Sequence, residues 1–156
     1  MMQAMHIEFE WSRLEDFSAL QLHAIVQARE SVFVVEQQCP YQEVDRMDLQ
    51  AWHLCLRADG QLAAYARVVD PGVKYVAPSI GRVLTLPAFR GFALGKALMV
   101  EAIRGTEQRF PGQGIQISAQ AYLQDFYAAL GFAPVTGLYD EDGIPHLAMH
   151  KAALTT

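Results

Sequence analysis

The sequence holds only two cysteines, Cys39 and Cys55, among 156 residues. That is too few for a disulfide scaffold, and their spacing is not that of a zinc site. Both read as reduced thiols, and no metal is expected. Basic residues are also scarce, 12 against 17 acidic ones, for a net charge of -5. This is the wrong sign for a chain whose main partner is a phosphate backbone, so nucleic acid is excluded as the principal ligand. No stretch approaches the roughly 18 apolar residues of a membrane span. The first residues, Met1 to Trp11, lack both the basic start and the apolar run of a secretory signal. No membrane partner is expected, and a cytoplasmic location is. Repeats and low-complexity segments are missing too. What remains is 52% hydrophobic, enough for a core without staples, and one domain spanning 1–156 is expected.

Periodicity then places the elements. Ile7, Phe9 and Trp11 alternate with polar residues as in a strand, and the polar stretch Glu15 to Ser18 offers caps for a helix. Leu22, Ile25, Val26, Val32 and Phe33 recur at helical spacing and predict an amphipathic helix over Ser18 to about Val34, with Arg29 and Glu36 on its apolar stripe. Charges on such a stripe are paired or functional, because burying one alone is expensive. The carboxylate-rich segment 37–48 has no period and reads as a loop or short irregular helix. Runs 51–57 and 62–69 flank Asp59-Gly60 as a hairpin, 80–86 is a further strand, and a helix runs from about Leu94 to Arg109. A strand over 115–120 leads to a short helix ended by Gly131, and a terminal hairpin pairs 132–138 with 144–151 across Asp140 to Gly143. The order predicts an α/β (α+β) fold: a mixed, mostly antiparallel twisted sheet of about seven strands with helices on both faces.

The strongest chemical signal is the passage from Val83-Leu84-Thr85 through Arg90-Gly91-Phe92-Ala93 into Leu94-Gly95-Lys96. A strand there turns through small residues directly into a helix, whose free N–H groups and dipole make an anion site. The spacing fits neither the nucleotide P-loop nor the full dinucleotide glycine fingerprint, so another phosphate-bearing cofactor is implied.

Arg90-x-x-Ala93-x-Gly95 resembles the Gln/Arg-x-x-Gly-x-Gly/Ala pyrophosphate loop of the Gcn5-related N-acetyltransferase (GNAT) superfamily, with alanine where glycine is commoner. Gln120, Tyr127 and Leu130-Gly131-Phe132 resemble the same superfamily's later strand-to-helix motif. More narrowly, Arg29-x-x-Val32-Phe33-Val34-Val35-Glu36, then Cys39-Pro40-Tyr41, Glu43, Asp45, His53-Leu54 and Tyr139 to His146, resemble the ElaA-like branch, so the likeness covers nearly the whole chain. The resemblance implies acetyl-CoA as co-substrate. Val83, Leu84 and Thr85 would hold its pantetheine and acetyl group, and Arg90, Gly91, Phe92, Ala93, Leu94, Gly95 and Lys96 its pyrophosphate. Gln120 stands where the superfamily often has a cofactor-contacting asparagine.

Tyr127 is the candidate general acid for the departing thiolate, a phenol being protonated at pH 7. Glu36, Glu43, Asp45, His53 and His146 are candidates for the base, Glu36 and His53 foremost, while each also reads as a solvated charge, a cap or a structural histidine. Arg29, Glu43, Asp45 and His146 are candidates for holding the acceptor, Arg29 equally for pairing with Glu36 or Asp45. The acceptor is expected to be an amine, of a small molecule or a protein. The acidic 36–48 stretch favours a cationic one. A homodimer is compatible with the superfamily and the apolar content. Two other readings stay open: a longer acyl donor, as in autoinducer synthases, and a non-catalytic CoA-binding sensor.

Overall fold

A computed structural model describes residues 4–154. One eight-stranded sheet carries the chain: β1 (Ile7–Arg13), β2 (Trp52–Ala58), β3 (Gln61–Val69), β4 (Ser79–Thr85), β5 (Ile115–Gln120), β6 (Ala133–Pro134), β7 (Tyr139–Glu141) and β8 (Ile144–Lys151). The order is β1-β2-β3-β4-β5-β8-β6, with β7 also on β8. Every pairing is antiparallel except β4 with β5. Both hairpins turn on Asp-Gly. Asp59 and Gly60 sit at φ +50° and +82°, Asp142 and Gly143 at +54° and +80°, the left-handed pair that matches a two-residue turn to the twist of its strands.

Helix α1 (Ala19–Arg29) starts on a reciprocal cap, the Ser18 hydroxyl accepting from the Gln21 N–H while the Gln21 side chain accepts from the Ser18 N–H. The predicted helix continues past Arg29, but over Glu30–Glu36 it widens into a π-helical turn. That turn advances less rotation per residue. The stripe drifts accordingly: Ile25, Ala28, Arg29, Val32 and Phe33 are buried and Glu36 is exposed, off the stripe on which the sequence put it. Against the same sheet face lie Cys55, Tyr65 and Leu84. On the opposite face, Leu94, Leu98, Met99, Ala102 and Ile103 of α2 (Leu94–Arg109) pack over Leu54, Leu56, Ala64 and Ala66.

The predicted strand 132–138 is divided. Pro134 brings no N–H to the ladder, and the chain takes five steps from Pro134 to Tyr139 while β8 takes three from Met149 to His146. The Val135 N–H still reaches the Ala148 carbonyl (2.9 Å), residues 136–138 loop out, and β7 resumes the pairing beside the turn. No helix among the described residues is long and apolar enough to cross a membrane.

Trp11 of β1 lies over Gly105 of α2 and donates its indole N–H to Glu101 (2.8 Å). A glycine inside a helix ordinarily costs about 1 kcal/mol against alanine. Here the order inverts, because a methyl at 105 would stand within 2.9 Å of three Trp11 ring atoms. Gly105→Ala is expected to destabilise the protein by about 1–3 kcal/mol, and a rise in the thermal midpoint would contradict this packing.

Candidate active site

Strands β4 and β5 meet at one register pair, Ser79 with Gln116, where the Gln116 N–H reaches Pro78 (3.0 Å). Beyond it they diverge and open a cleft of about 500 Å³. Strand β4 carries one extra residue against β3, with three intervals from Gly81 to Leu84 facing two from Arg67 to Tyr65, and Arg82 at this bulge takes φ +52°. Past the bulge the Leu86 N–H turns to Ala63 on β3 (2.8 Å). Alternation therefore aims the N–H groups of Val83 and Thr85 the other way, into the cleft.

At the outer end the Arg90 guanidinium donates to the Thr85 carbonyl (3.0 Å) and pairs with Glu36 (2.9 Å). Gly91 and Ala93 follow at φ +91° and +58°, and α2 begins at Leu94 without a side-chain cap. The N–H groups from Gly91 to Lys96 meet no capping acceptor among the described residues, Ala97 being the first to bond back, to Ala93 (3.2 Å). The left-handed turn at Ala93 and the open N-terminus of a 16-residue helix thus gather donors at one place. The structure fits a pyrophosphate there, and Gly95 leaves Thr85 Oγ1 3.6 Å from where a Cβ would stand.

Tyr127 lies on α3 (Gln124–Ala128) and lines the middle of the cleft. Phe126 and Phe132 hold its ring edge to face, at 5.1 and 6.1 Å between centroids. Burial pushes its hydroxyl up to about 12, so the proton stays on through neutral pH. Gln120 also lines the cleft, its amide 3.5 Å from Gln37.

The inner end is built from residues far apart in sequence. Arg67, Lys74 and Arg82 line it with Tyr41 and Cys39, whose thiol donates to the Asp142 carbonyl (3.1 Å). Glu141 and Asp142 at the β7–β8 turn, His146 of β8 and Ser118 of β5 line it as well. Ser118 bonds the Tyr139 hydroxyl and Glu141 (3.2 Å). The Ile144 carbonyl can only accept, so Nδ1 of His146 carries a proton to it (2.7 Å), while Nε2 stands 3.2 Å from Glu141.

Behind Arg67 lies an ion network. Arg29 donates to Glu43 (2.9 Å) and Asp48 (2.8 Å), Arg67 to Asp45 (2.7 Å) and Asp48 (3.0 Å), and Arg82 to Asp45 (3.3 Å), pairing also with Glu43. His53 donates Nε2–H to the Asp48 carbonyl (3.0 Å), which leaves Nδ1 to accept from Tyr65 (2.6 Å). Burial lowers the His53 pKa, so the ring is neutral at pH 7.

Of the predicted site residues, Glu36, Val83, Leu84, Thr85, Arg90, Gln120, Tyr127 and His146 come together on one cleft. Arg29, Glu43, Asp45 and His53 do not line it; they belong to the network. Arg29 pairs with Glu43 and Asp48 rather than with Glu36 or Asp45. The acidic surplus expected of the 36–48 stretch is cancelled, because Glu36, Glu43, Asp45 and Asp48 each meet an arginine. Sequence reasoning missed Arg67, Lys74, Arg82, Ser118 and Glu141. A charge inside each apolar run, Arg67 in 62–69 and Arg82 in 80–86, was the available signal.

The sequence model of the acetyltransferase (GNAT) domain matches residues 14–153. A UPF0039 protein of Synechocystis is 44% identical over 146 residues, covering 93% of this chain and 95% of that one. Protein ElaA of Escherichia coli is 40% identical over 149 residues, covering 93% and 97%. Among solved structures, an acyl-CoA N-acyltransferase of Pseudomonas aeruginosa is similar at a TM-score of 0.89 and 42% identity, over 94% of this chain and all of that one. The crystal structure of Escherichia coli ElaA is similar at 0.87 and 38%, over 94% and 99%.

Proposed function

The chain belongs to the GNAT acetyltransferase family, and on that premise we propose that it moves an acetyl group from acetyl-CoA to a primary amine by direct attack in a ternary complex. One observation carries the reading: the cleft that opens between β4 and β5 runs from Arg90, next to the donor-rich turn 91–96 that does not itself line it, past the protonated Tyr127 to a charged inner pocket. Acetyl-CoA supplies the activated thioester. The N–H groups from Gly91 to Lys96 and the Arg90 guanidinium would hold its pyrophosphate, and the cleft edge of β4 its pantetheine.

Val83 and Thr85 present N–H groups where the thioester oxygen gathers charge as the amine attacks, in the manner of an oxyanion hole. The new C–N bond forms as C–S breaks, and the Tyr127 hydroxyl gives its proton to the departing sulfur. The desolvation that secures this proton acts on the thiolate too, so the thiolate's demand for a proton rises in parallel. The proton lost by the amine leaves towards the Glu141–His146 pair and the solvent it meets. Glu36, tied to Arg90, orders the cofactor end.

Thermal unfolding with and without acetyl-CoA tests the donor. At about 100 times its dissociation constant a ligand adds roughly 2.7 kcal/mol, a rise of about 5–11 °C for a chain of this size. Gly95→Glu, which sets a carboxylate among the N–H donors, is expected to abolish most of the rise. No shift from acetyl-CoA, with a shift from a longer acyl-CoA, would replace the donor; no shift from either would overturn the reading.

A further inference from the structure

Arg67 is almost wholly buried, yet its hydrogen bonds cover only part of the guanidinium. Nη1 takes both carboxylates, Asp45 and Asp48, whereas Nε is buried without an acceptor and Nη2 donates to no described residue. A buried donor left unmet is costly and rare in folded proteins. Arg82 also has an Nε without a hydrogen bond, but that nitrogen lies against Glu43 as an ion pair, so its charge is met. Nε of Arg67 is sealed from the pocket, so Nη2 is the guanidinium nitrogen left for a ligand carboxylate oxygen. Arg67 lines the inner pocket.

Lys74 reaches the same pocket from the connection between β3 and β4, and no carboxylate of the described residues lies in salt-bridge range of it. The network behind Arg67 is balanced, three arginines against three carboxylates, so Lys74 is charge in excess. Glu141 and Asp142, which line the same pocket, supply the opposite sign. The pocket therefore holds charge of both signs, Arg67 and Lys74 against Glu141 and Asp142.

We infer that the acceptor is a zwitterionic small molecule, a primary amine that bears a carboxylate, with the carboxylate on Arg67 and Lys74 and the ammonium entering beside Glu141 and Asp142. This rests on the transferase reading above and narrows it. A lysine side chain within a protein, whose own carboxyl is tied up in a peptide bond, would leave Nη2 of Arg67 unmet.

The test uses matched acceptors: amino acids and longer amino carboxylic acids, each beside its carboxamide and its decarboxylated amine. Thiol release from acetyl-CoA is followed, and binding to the CoA-loaded protein is measured by calorimetry. Carboxylate forms are expected to exceed their carboxamides by about 100-fold in kcat/KM, or in affinity where turnover is slow, since a site built for a polar group rejects the analogue that lacks it. Arg67→Ala strands Asp45 and Asp48, so Lys74→Gln is the informative variant; it is expected to narrow the carboxylate-to-carboxamide ratio about 10-fold, mostly through KM. Equal or better use of carboxamides, or equal binding of both forms, overturns the inference. In that event the thermal shift with acetyl-CoA still stands or falls by itself, so failure of the acceptor class and failure of the transferase reading are told apart.

Discussion

Tyr127→Phe is expected to lower kcat by about 100-fold or more while the affinity for acetyl-CoA changes by less than about twofold. Proton transfer by a positioned side chain is worth roughly 10²–10⁴ in rate, and a group that acts only as the thiolate departs is lost from kcat, not from ground-state binding. The substitution is clean. The Tyr127 hydroxyl bonds no described residue, so its removal strands no partner, and the ring contacts with Phe126 and Phe132 survive. Because burial pushes the phenol up to about 12, the wild-type profile should show no alkaline fall in kcat from Tyr127 below about pH 11, and activity should climb with the fraction of neutral amine. A variant within threefold of wild type would mean that the sulfur takes its proton from elsewhere, Ser118 or water.

The second large effect concerns stability. Arg29→Met is expected to cost about 3–5 kcal/mol, because removing one partner of a buried ion pair leaves the others uncompensated; Glu43 and Asp48 both lose a bond. For a chain of this length that lowers the thermal midpoint by about 6–20 °C. Arg29→Met combined with Asp48→Asn should recover part of the loss. The pH dependence has a definite sign. Burial works to raise the Asp48 pKa, but the hydrogen bonds and charges of Arg29 and Arg67 outweigh it and hold the carboxyl below its ordinary 3.8. Asp48 therefore contributes stability that is full above that value and fades as pH falls through the folded pKa. Without Arg29 the acid transition should move to higher pH. A variant that melts within 2 °C of wild type at every pH would show that solvent reaches these carboxylates.

The sequence disclosed those parts that are local. Leu94–Arg109 and Ile115–Gln120 lie where periodicity and stop signals put them, because each carries its own apolar face and is closed by glycine and proline. The phosphate loop was legible for the same reason, being one contiguous run. The π turn after Arg29 escaped notice, since the apolar spacing up to Phe33 is the same for either helix and only the placement of Glu36 separates them. Pro134 and Gly137 were visible in 132–138, but the length of the excursion depends on β8. Least legible was the inner pocket. Arg67, Lys74, Ser118 and Glu141 sit on four separate segments, and nothing local says that their side chains face one another.

The balanced network of three arginines and three carboxylates also constrains how such a chain can change over generations. Each member answers to two others or shares a partner that does, so a lone replacement passes through a poorly folding intermediate that selection removes. Arg67, at once pocket wall and network member, is thereby frozen by its neighbours whatever the acceptor demands. Lys74, Glu141 and Asp142 carry no such debt to the interior. Divergence in acceptor preference among descendants of this chain should accumulate at those three positions first, with the network passed on unaltered or exchanged two residues at a time.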